Sequence, residues 1–87
     1  MNNIAFTPDG WSHYTEWQKK DLKIVEKINE LIKEIYRNGV LAGKGKPEHL
    51  RRMQAYSRRI TQEHRLVYNM NKDLGLLIYA CKGHYND

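Results

Sequence analysis

Residues 22–38 carry the most regular pattern in this chain. Their apolar side chains recur at three- and four-residue spacing, which matches the 3.6-residue period of an α-helix with one buried face. The stripe consists of Ile24, Val25, Ile28, Leu31, Ile32 and Ile35. Charged residues, including Glu30, Lys33 and Glu34, fall on the opposite side, and Asn38-Gly39 is a typical helix end. The pattern predicts a long helix with its apolar stripe in the core.

A strand and a first helix are predicted before this long helix. Ile4 to Phe6 is a short apolar run that predicts a strand. Thr7 and Pro8 are predicted as the N-cap and the first residue of the helix that follows. Its aromatic residues between Trp11 and Trp17 recur at three-to-four-residue spacing, so they are predicted to face the core.

The second half of the chain changes period. A glycine-rich loop, residues 41–47, precedes segments rich in β-branched and aromatic residues, which polar turns at 62–64 and 71–73 separate. The predicted strands are 56–61, 65–70 and 74–81. The fold class is therefore predicted as α+β, in the order β-α-α-β-β-β, with both helices packed on one face of a small antiparallel-rich sheet.

Length and cysteine content restrict the class of protein. The 87 residues predict a single domain over 1–87. Cys81 is the one cysteine, and the start of the chain lacks the basic and apolar regions of a secretory signal. The longest apolar stretch, Leu74 to Cys81, is far shorter than the ~18–20 residues that cross a bilayer. We predict a cytoplasmic protein with no membrane partner, in which Cys81 is buried and inert.

The positive charge is concentrated in one third of the chain. Residues 44–72 hold eight basic and two acidic side chains, a net charge of +6, whereas the rest of the chain sums to −1. Five of the eight basic residues are arginines, whose guanidinium groups match phosphate oxygens and stack on bases. This distribution favours a nucleic-acid partner, although a solvated basic face without a partner remains an alternative.

Few side chains here could move protons. The four histidines and Cys81 lack the ligand spacing of a zinc site, and the GKGKP segment lacks the Ser or Thr of a phosphate-binding loop, so no metal or cofactor is predicted. Glu48, His84 and the arginines remain as a base, an acid and cations for RNA cleavage by its own 2′-hydroxyl. From the residues alone, it remains open that Glu48 only neutralises Lys44 or Lys46 and that His84 has no role.

Several separated blocks resemble one known family. They are GKGKPE at 43–48, SRRITQEHRLVY at 57–68, KINELIK at 27–33, and Cys81 followed by His84-Tyr85. Together they resemble the YoeB/Txe toxins of bacterial toxin–antitoxin systems, within the RelE-like superfamily. The resemblance implies a small sheet with two N-terminal helices. It also implies ribosome-dependent cleavage of mRNA, without a metal, to a 2′,3′-cyclic phosphate and a 5′-hydroxyl.

Matched by position, the resemblance assigns site residues. It implies that Glu48 is the general base, His84 the general acid and Arg65 the transition-state cation. Contacts to RNA or phosphate are implied for Arg59, Lys46, Tyr85, Arg51 and Lys44. After Glu48 the loop is shorter than is usual in the family, which leaves open whether Arg51 or Arg52 corresponds to the usual lysine.

The resemblance also implies partners. These are mRNA on the ribosome and a cognate antitoxin of the YefM/Axe type, whose acidic segment we predict to cover the surface from Lys44 to Arg65. Contact with operator DNA is expected only through the antitoxin complex, and the sequence leaves a homodimer open. Two other interpretations stay open: a noncatalytic RNA- or ribosome-binding module, and an interaction protein whose basic face serves only the antitoxin.

Overall fold

The computed structural model describes residues 3–84, which form an α+β fold. The elements are β1 (Ile4–Phe6), α1 (Pro8–Lys20), α2 (Leu22–Asn38), β2 (Glu48–Leu50), β3 (Ala55–Arg59), β4 (Arg65–Asn71) and β5 (Gly75–Ala80). They make one sheet in the order β1-β5-β4-β3-β2. Strand β1 runs parallel to β5, and the other neighbours are antiparallel. The predicted class and helix arrangement are confirmed, and the sheet has one strand more than predicted, β2.

The predicted signals at Thr7 and Gly39 lie at helix boundaries, and Asp21 forms a further one. Thr7 caps α1, because its hydroxyl accepts a hydrogen bond from the backbone N–H of Gly10 at 3.0 Å. Asp21 separates the helices, and its carboxylate accepts from the N–H of Lys23 at 3.1 Å. Gly39, with φ of +95°, ends α2 in the left-handed region that glycine tolerates best.

The apolar stripe of α2 packs against one face of the sheet. Ile28 and Leu31 are completely buried, and full burial of each such side chain stabilises the fold by about 1.5–3 kcal/mol. From the sheet, Leu66, Tyr68, Leu76 and Ile78 join the same cluster, which Trp17 of α1 completes. Helix α1 lies directly on β5, since a Cβ added at Gly10 would stand 2.5 Å from the carbonyl oxygen of Ile78. Both helices therefore share one side of the sheet.

The second face of the sheet points away from the helices. Side chains alternate between faces along a strand, so the strand neighbours of Leu66 and Tyr68 lie on this second face. A smaller apolar cluster of Leu50, Ala55, Val67 and Ala80 is buried there. Glu48 is in register with Ser57, which is in register with Val67, so all three share the second face.

Glu34 departs from its predicted solvent-facing position. It is buried at the end of α2, where Oε1 accepts from the backbone N–H of Lys44 at 3.4 Å and from Asn38 at 2.9 Å. The glycine loop folds back over it, and a Cβ on Gly43 would approach Oε1 within 2.5 Å. Helical periodicity alone cannot show that a distant loop covers the polar side of a helix.

Candidate active site

Glu48 and Arg65 meet on the second face of the sheet. Each is the first residue of its strand, β2 or β4. Nη1 of Arg65 donates to Oε1 of Glu48 at 3.1 Å. The arginine side chain is 9% exposed and the carboxylate side chain 55% exposed. A nearly buried cation is thus held beside a carboxylate that an incoming ligand can reach.

Two polar atoms beside this pair have unused hydrogen-bonding capacity. Nε of Arg65 and the hydroxyl of Ser57 are buried, and neither has a hydrogen-bond partner within residues 3–84. Ser57 shares the second face with Glu48 and Arg65, through its register with Glu48 and the alternation of β3 and β4. A buried polar group without a partner costs about 1–3 kcal/mol. Nε can donate a hydrogen bond, and the hydroxyl can donate or accept one, to a ligand or to water.

Arg59 adds a second guanidinium next to Arg65. The two residues are directly paired across β3 and β4. Like charges directly opposite each other in a sheet repel, and an anion between them would remove that repulsion. Arg59 is exposed, and its backbone N–H donates to the carbonyl of Gly45 at 2.7 Å, which ties the glycine loop to this end of β3.

The glycine loop leads directly into Glu48. Lys46 is exposed and has φ of +51°, an uncommon value for a residue with a side chain. Lys44 lies farther back, where its ammonium group is 3.6 Å from Glu30 of α2. The structure therefore places Lys46 two residues from Glu48 in the chain and directs Lys44 toward the helix.

His84 lies beyond the end of β5, in a segment that bonds to the backbone of Arg65. The carbonyl of Gly83 accepts a hydrogen bond from the backbone N–H of Arg65 at 3.0 Å. His84 is the next residue and is exposed. The fold thus brings a third predicted residue to the same end of the sheet as Arg65. Tyr85 lies outside the described residues.

The turn between β2 and β3 carries the remaining predicted contact. Arg51 is exposed and directly follows β2 in the turn at residues 51–54. That short turn joins Leu50 to Ala55, which are paired across the two strands. Arg51 is thus placed beyond the end of β2 that lies away from Glu48.

Arg58 has a structural role that its sequence neighbourhood did not reveal. It is fully buried on the helix side of the sheet and donates to the carbonyls of Gly39, Ala42 and Lys44 at 2.7–2.8 Å. Its Nε donates to the hydroxyl of Tyr68 at 2.8 Å. Strand alternation places Arg58 and Arg59 on opposite faces, but only the folded loop shows which one is buried.

Tyr68 completes this buried network. Its hydroxyl donates to the carbonyl of Val40 at 2.6 Å while accepting from Arg58. Burial raises the pKa of Tyr68, which outweighs the opposing influence of the Arg58 cation. The phenol therefore stays protonated and able to donate. This network fixes the start of the glycine loop, which carries Lys46 and leads into Glu48.

Cys81 is buried, as predicted. Burial raises the pKa of its thiol to about 12, so almost no reactive thiolate forms near neutral pH. We expect iodoacetamide at pH 8 to alkylate the folded protein at least about 100-fold more slowly than the urea-unfolded protein. Mass spectrometry of timed samples measures both rates. Equal rates would show that the thiol is accessible in the native fold.

Two features are absent from residues 3–84: a cluster of metal-binding side chains and a membrane-spanning helix. No three His, Cys, Asp or Glu side chains gather closely enough there to hold a metal ion. Neither described helix is long and apolar enough to cross a membrane.

Known proteins resemble this chain over nearly its whole length. The sequence profile described as YoeB-like toxin of bacterial type II toxin-antitoxin system matches residues 6–85. Toxin YoeB of Escherichia coli K12 is 49% identical over 84 residues, which cover 94% of this chain and 98% of that protein. The resemblance predicted from the sequence is thereby confirmed.

Solved structures agree in fold and sequence. The YoeB dimer from Staphylococcus aureus has a TM-score of 0.90 and 50% identity, covering 97% of this chain and 98% of that one. A YoeB-YefM complex from the same organism has a TM-score of 0.88 and 47% identity, covering 98% and 99%. With a profile match over residues 6–85 and relatives of this similarity, the chain belongs to the YoeB-like toxins of bacterial type II toxin-antitoxin systems.

Proposed function

We propose that this chain is a ribosome-dependent mRNA endoribonuclease. The observation that carries the proposal is the contact between Glu48 and Arg65 at 3.1 Å, with the segment before His84 bonded to the backbone of Arg65. The proposal is supported by a reachable carboxylate beside a nearly buried cation, with His84 following a residue bonded to that cation's backbone. Cleavage of RNA by its own 2′-hydroxyl needs a base, a charge stabiliser and an acid.

In the proposed reaction, Glu48 removes the proton from the 2′-hydroxyl. The 2′-oxygen then forms a bond to the adjacent phosphorus, and negative charge develops on the phosphate oxygens, which Arg65 and Arg59 stabilise. His84 donates a proton to the 5′-oxygen as the P–O5′ bond breaks. The products are a 2′,3′-cyclic phosphate and a free 5′-hydroxyl. All of these steps use side chains of this protein and no metal ion.

The shape of the site supports a need for the ribosome. The carboxylate of Glu48 is about half exposed, and Arg59, Lys46 and His84 are also exposed. Such an open surface offers little to orient an RNA strand, and orientation contributes much of the rate of a catalysed reaction. We propose that the ribosome supplies it by holding the mRNA, and that the protein acts in the cytoplasm.

The proposed partner that restrains this activity is a YefM/Axe-like antitoxin. A related toxin from Staphylococcus aureus has been solved as a YoeB-YefM complex. In this chain the segment 44–65 remains strongly basic even with the Arg58 charge buried. An acidic antitoxin segment that folds on binding would complement this surface.

Mapping the 5′ ends of mRNA in a translation extract tests the proposed function. With the protein added, we expect new ends that bear a 5′-hydroxyl and that vanish when initiation of translation is blocked. The Glu48, Arg65 and His84 triple substitution is the matched control and should give no new ends. Salt-dependent RNA binding without new ends would instead support the noncatalytic binding module.

A further inference from the structure

Two hydrogen bonds fix Gly83, the residue just before His84. Its carbonyl accepts from the backbone N–H of Arg65 at 3.0 Å. Its own N–H donates to Nδ1 of His64 at 2.9 Å. The first bond joins two backbones and does not depend on side-chain identity, whereas the second depends on the imidazole of His64.

Gly83 is the point in this segment where the backbone has most freedom. Its φ is +92°, and a Cβ placed there would meet nothing within 4 Å. A glycine in open space can adopt many conformations, and His84 beyond it is exposed. The hydrogen bond that the Gly83 N–H donates to His64 therefore restricts the backbone at the position that decides where the His84 imidazole points.

The segment is also anchored two residues earlier, at Cys81. Nε1 of Trp17 donates to the carbonyl of Cys81 at 2.8 Å, and the N–H of Cys81 donates to Nδ1 of His13 at 3.1 Å. These bonds reach the segment from α1. Loss of the His64 bond should thus free the backbone at Gly83 while the Cys81 end remains attached.

Contacts to the ring and to the backbone hold His64 in place. An imidazole nitrogen that receives an N–H bond is an acceptor, so the proton of the neutral ring is on Nε2. The ring packs edge-to-face on Trp17, with centroids 4.8 Å apart. Its backbone is fixed by the hydroxyl of Thr61, which accepts from the His64 N–H at 3.1 Å. His64 is thus a rigid acceptor directed at Gly83.

We propose that His64 is a positioning residue that sets the place of His84 relative to Arg65. The inference rests on the proposed nuclease function, in which His84 protonates the leaving oxygen. His64 does not touch the substrate in this account. It acts through the Gly83 backbone, which is also hydrogen-bonded to the backbone of Arg65. The place of His84 is thereby tied to the residue that carries the guanidinium.

Two substitutions separate the acceptor of His64 from its packing. His64→Phe keeps a ring against Trp17 but removes the acceptor, whereas His64→Asn loses the ring but places Oδ1 where Nδ1 was. On mRNA-programmed ribosomes we expect His64→Phe to lower kcat roughly 10- to 100-fold with KM changed less than about twofold, and His64→Asn to stay within about fivefold of the wild type. Hydrogen exchange at the Gly83 amide should be fast in His64→Phe and slow in the other two proteins.

The ranking of the two variants decides the proposal. Wild-type kcat in His64→Phe would overturn the positioning role, and so would a lower kcat in His64→Asn than in His64→Phe, since that order indicates packing alone. If the wild type cleaves no mRNA, the proposed function fails instead. The two failures are distinguishable because the Gly83 exchange rate reads the hydrogen bond without any cleavage.

Discussion

Replacing Arg65 by alanine is expected to slow mRNA cleavage on programmed ribosomes by roughly 10²- to 10³-fold. Its guanidinium is nearly buried and stands 3.1 Å from the carboxylate of Glu48. A preorganised cation of this kind stabilises charge that develops only in the transition state, so its loss should appear mainly in kcat. Single-turnover primer extension on a defined mRNA measures the cleavage step directly.

Matched variants show whether the effect comes from chemistry or from folding. Arg65→Lys retains the charge but loses the planar fork, and we expect it to recover only part of the rate. Glu48 is about half exposed, so leaving it unpaired should change the free energy of unfolding by no more than about 1 kcal/mol. Urea unfolding of each variant monitors that contribution. A stable Arg65→Ala protein that cleaves at the wild-type rate would remove Arg65 from the proposed mechanism.

A double substitution tests whether Glu48 and Arg65 act as a unit. Groups that cooperate in one step give strongly non-additive losses. We therefore expect Glu48→Gln combined with Arg65→Ala to be little slower than the slower single variant. Fully additive losses in the logarithm of the rate would mean that the 3.1 Å contact has no bearing on catalysis.

Local signals in the sequence predict most of the fold. Thr7 and Gly39 mark helix boundaries through caps and backbone conformation, which depend only on nearby residues. Strand β2 was not predicted, because Glu48–Leu50 has no strand-like composition and follows Pro47. Its strand conformation comes from pairing with Ala55–Ser57 across a short turn, a tertiary interaction that overrides local preference.

The sequence names candidate site residues but not the contacts that support them. Charge distribution and family resemblance both point to Glu48, Arg65 and His84, and the structure pairs Arg59 with Arg65 across β3 and β4. The contact of His64 with Gly83 joins residues 19 positions apart, and no periodicity encodes it. Supporting contacts of this kind depend on how the loops close, which short sequence patterns do not specify.

We expect the largest loss of stability from a substitution that breaks the buried network of Arg58. Arg58 is completely buried, and three loop carbonyls and the Tyr68 hydroxyl accept its hydrogen bonds. The guanidinium carbon also lies 5.7 Å from the centroid of the Tyr68 ring, within range of a cation–π contact. The groups that accept hydrogen bonds from Arg58 in the described contacts are all neutral. Removing the cation therefore leaves these acceptors without a donor, but it leaves no carboxylate unpaired.

Arg58→Met is expected to lower the free energy of unfolding by about 3 kcal/mol or more, because methionine fills much of the space but donates no hydrogen bond. A domain of this length has a total stability of roughly 4–13 kcal/mol, so the loss should be plain in urea unfolding followed by circular dichroism. Arg59→Met is the matched control, because Arg59 is the next residue and is exposed. This substitution should change the free energy of unfolding by less than about 0.5 kcal/mol. Equal urea midpoints for the two variants would contradict a structural role for Arg58. We thus expect Arg58 to be needed for folding and Arg59 only for cleavage. This difference follows from strand alternation, which directs adjacent arginines to opposite faces of β3.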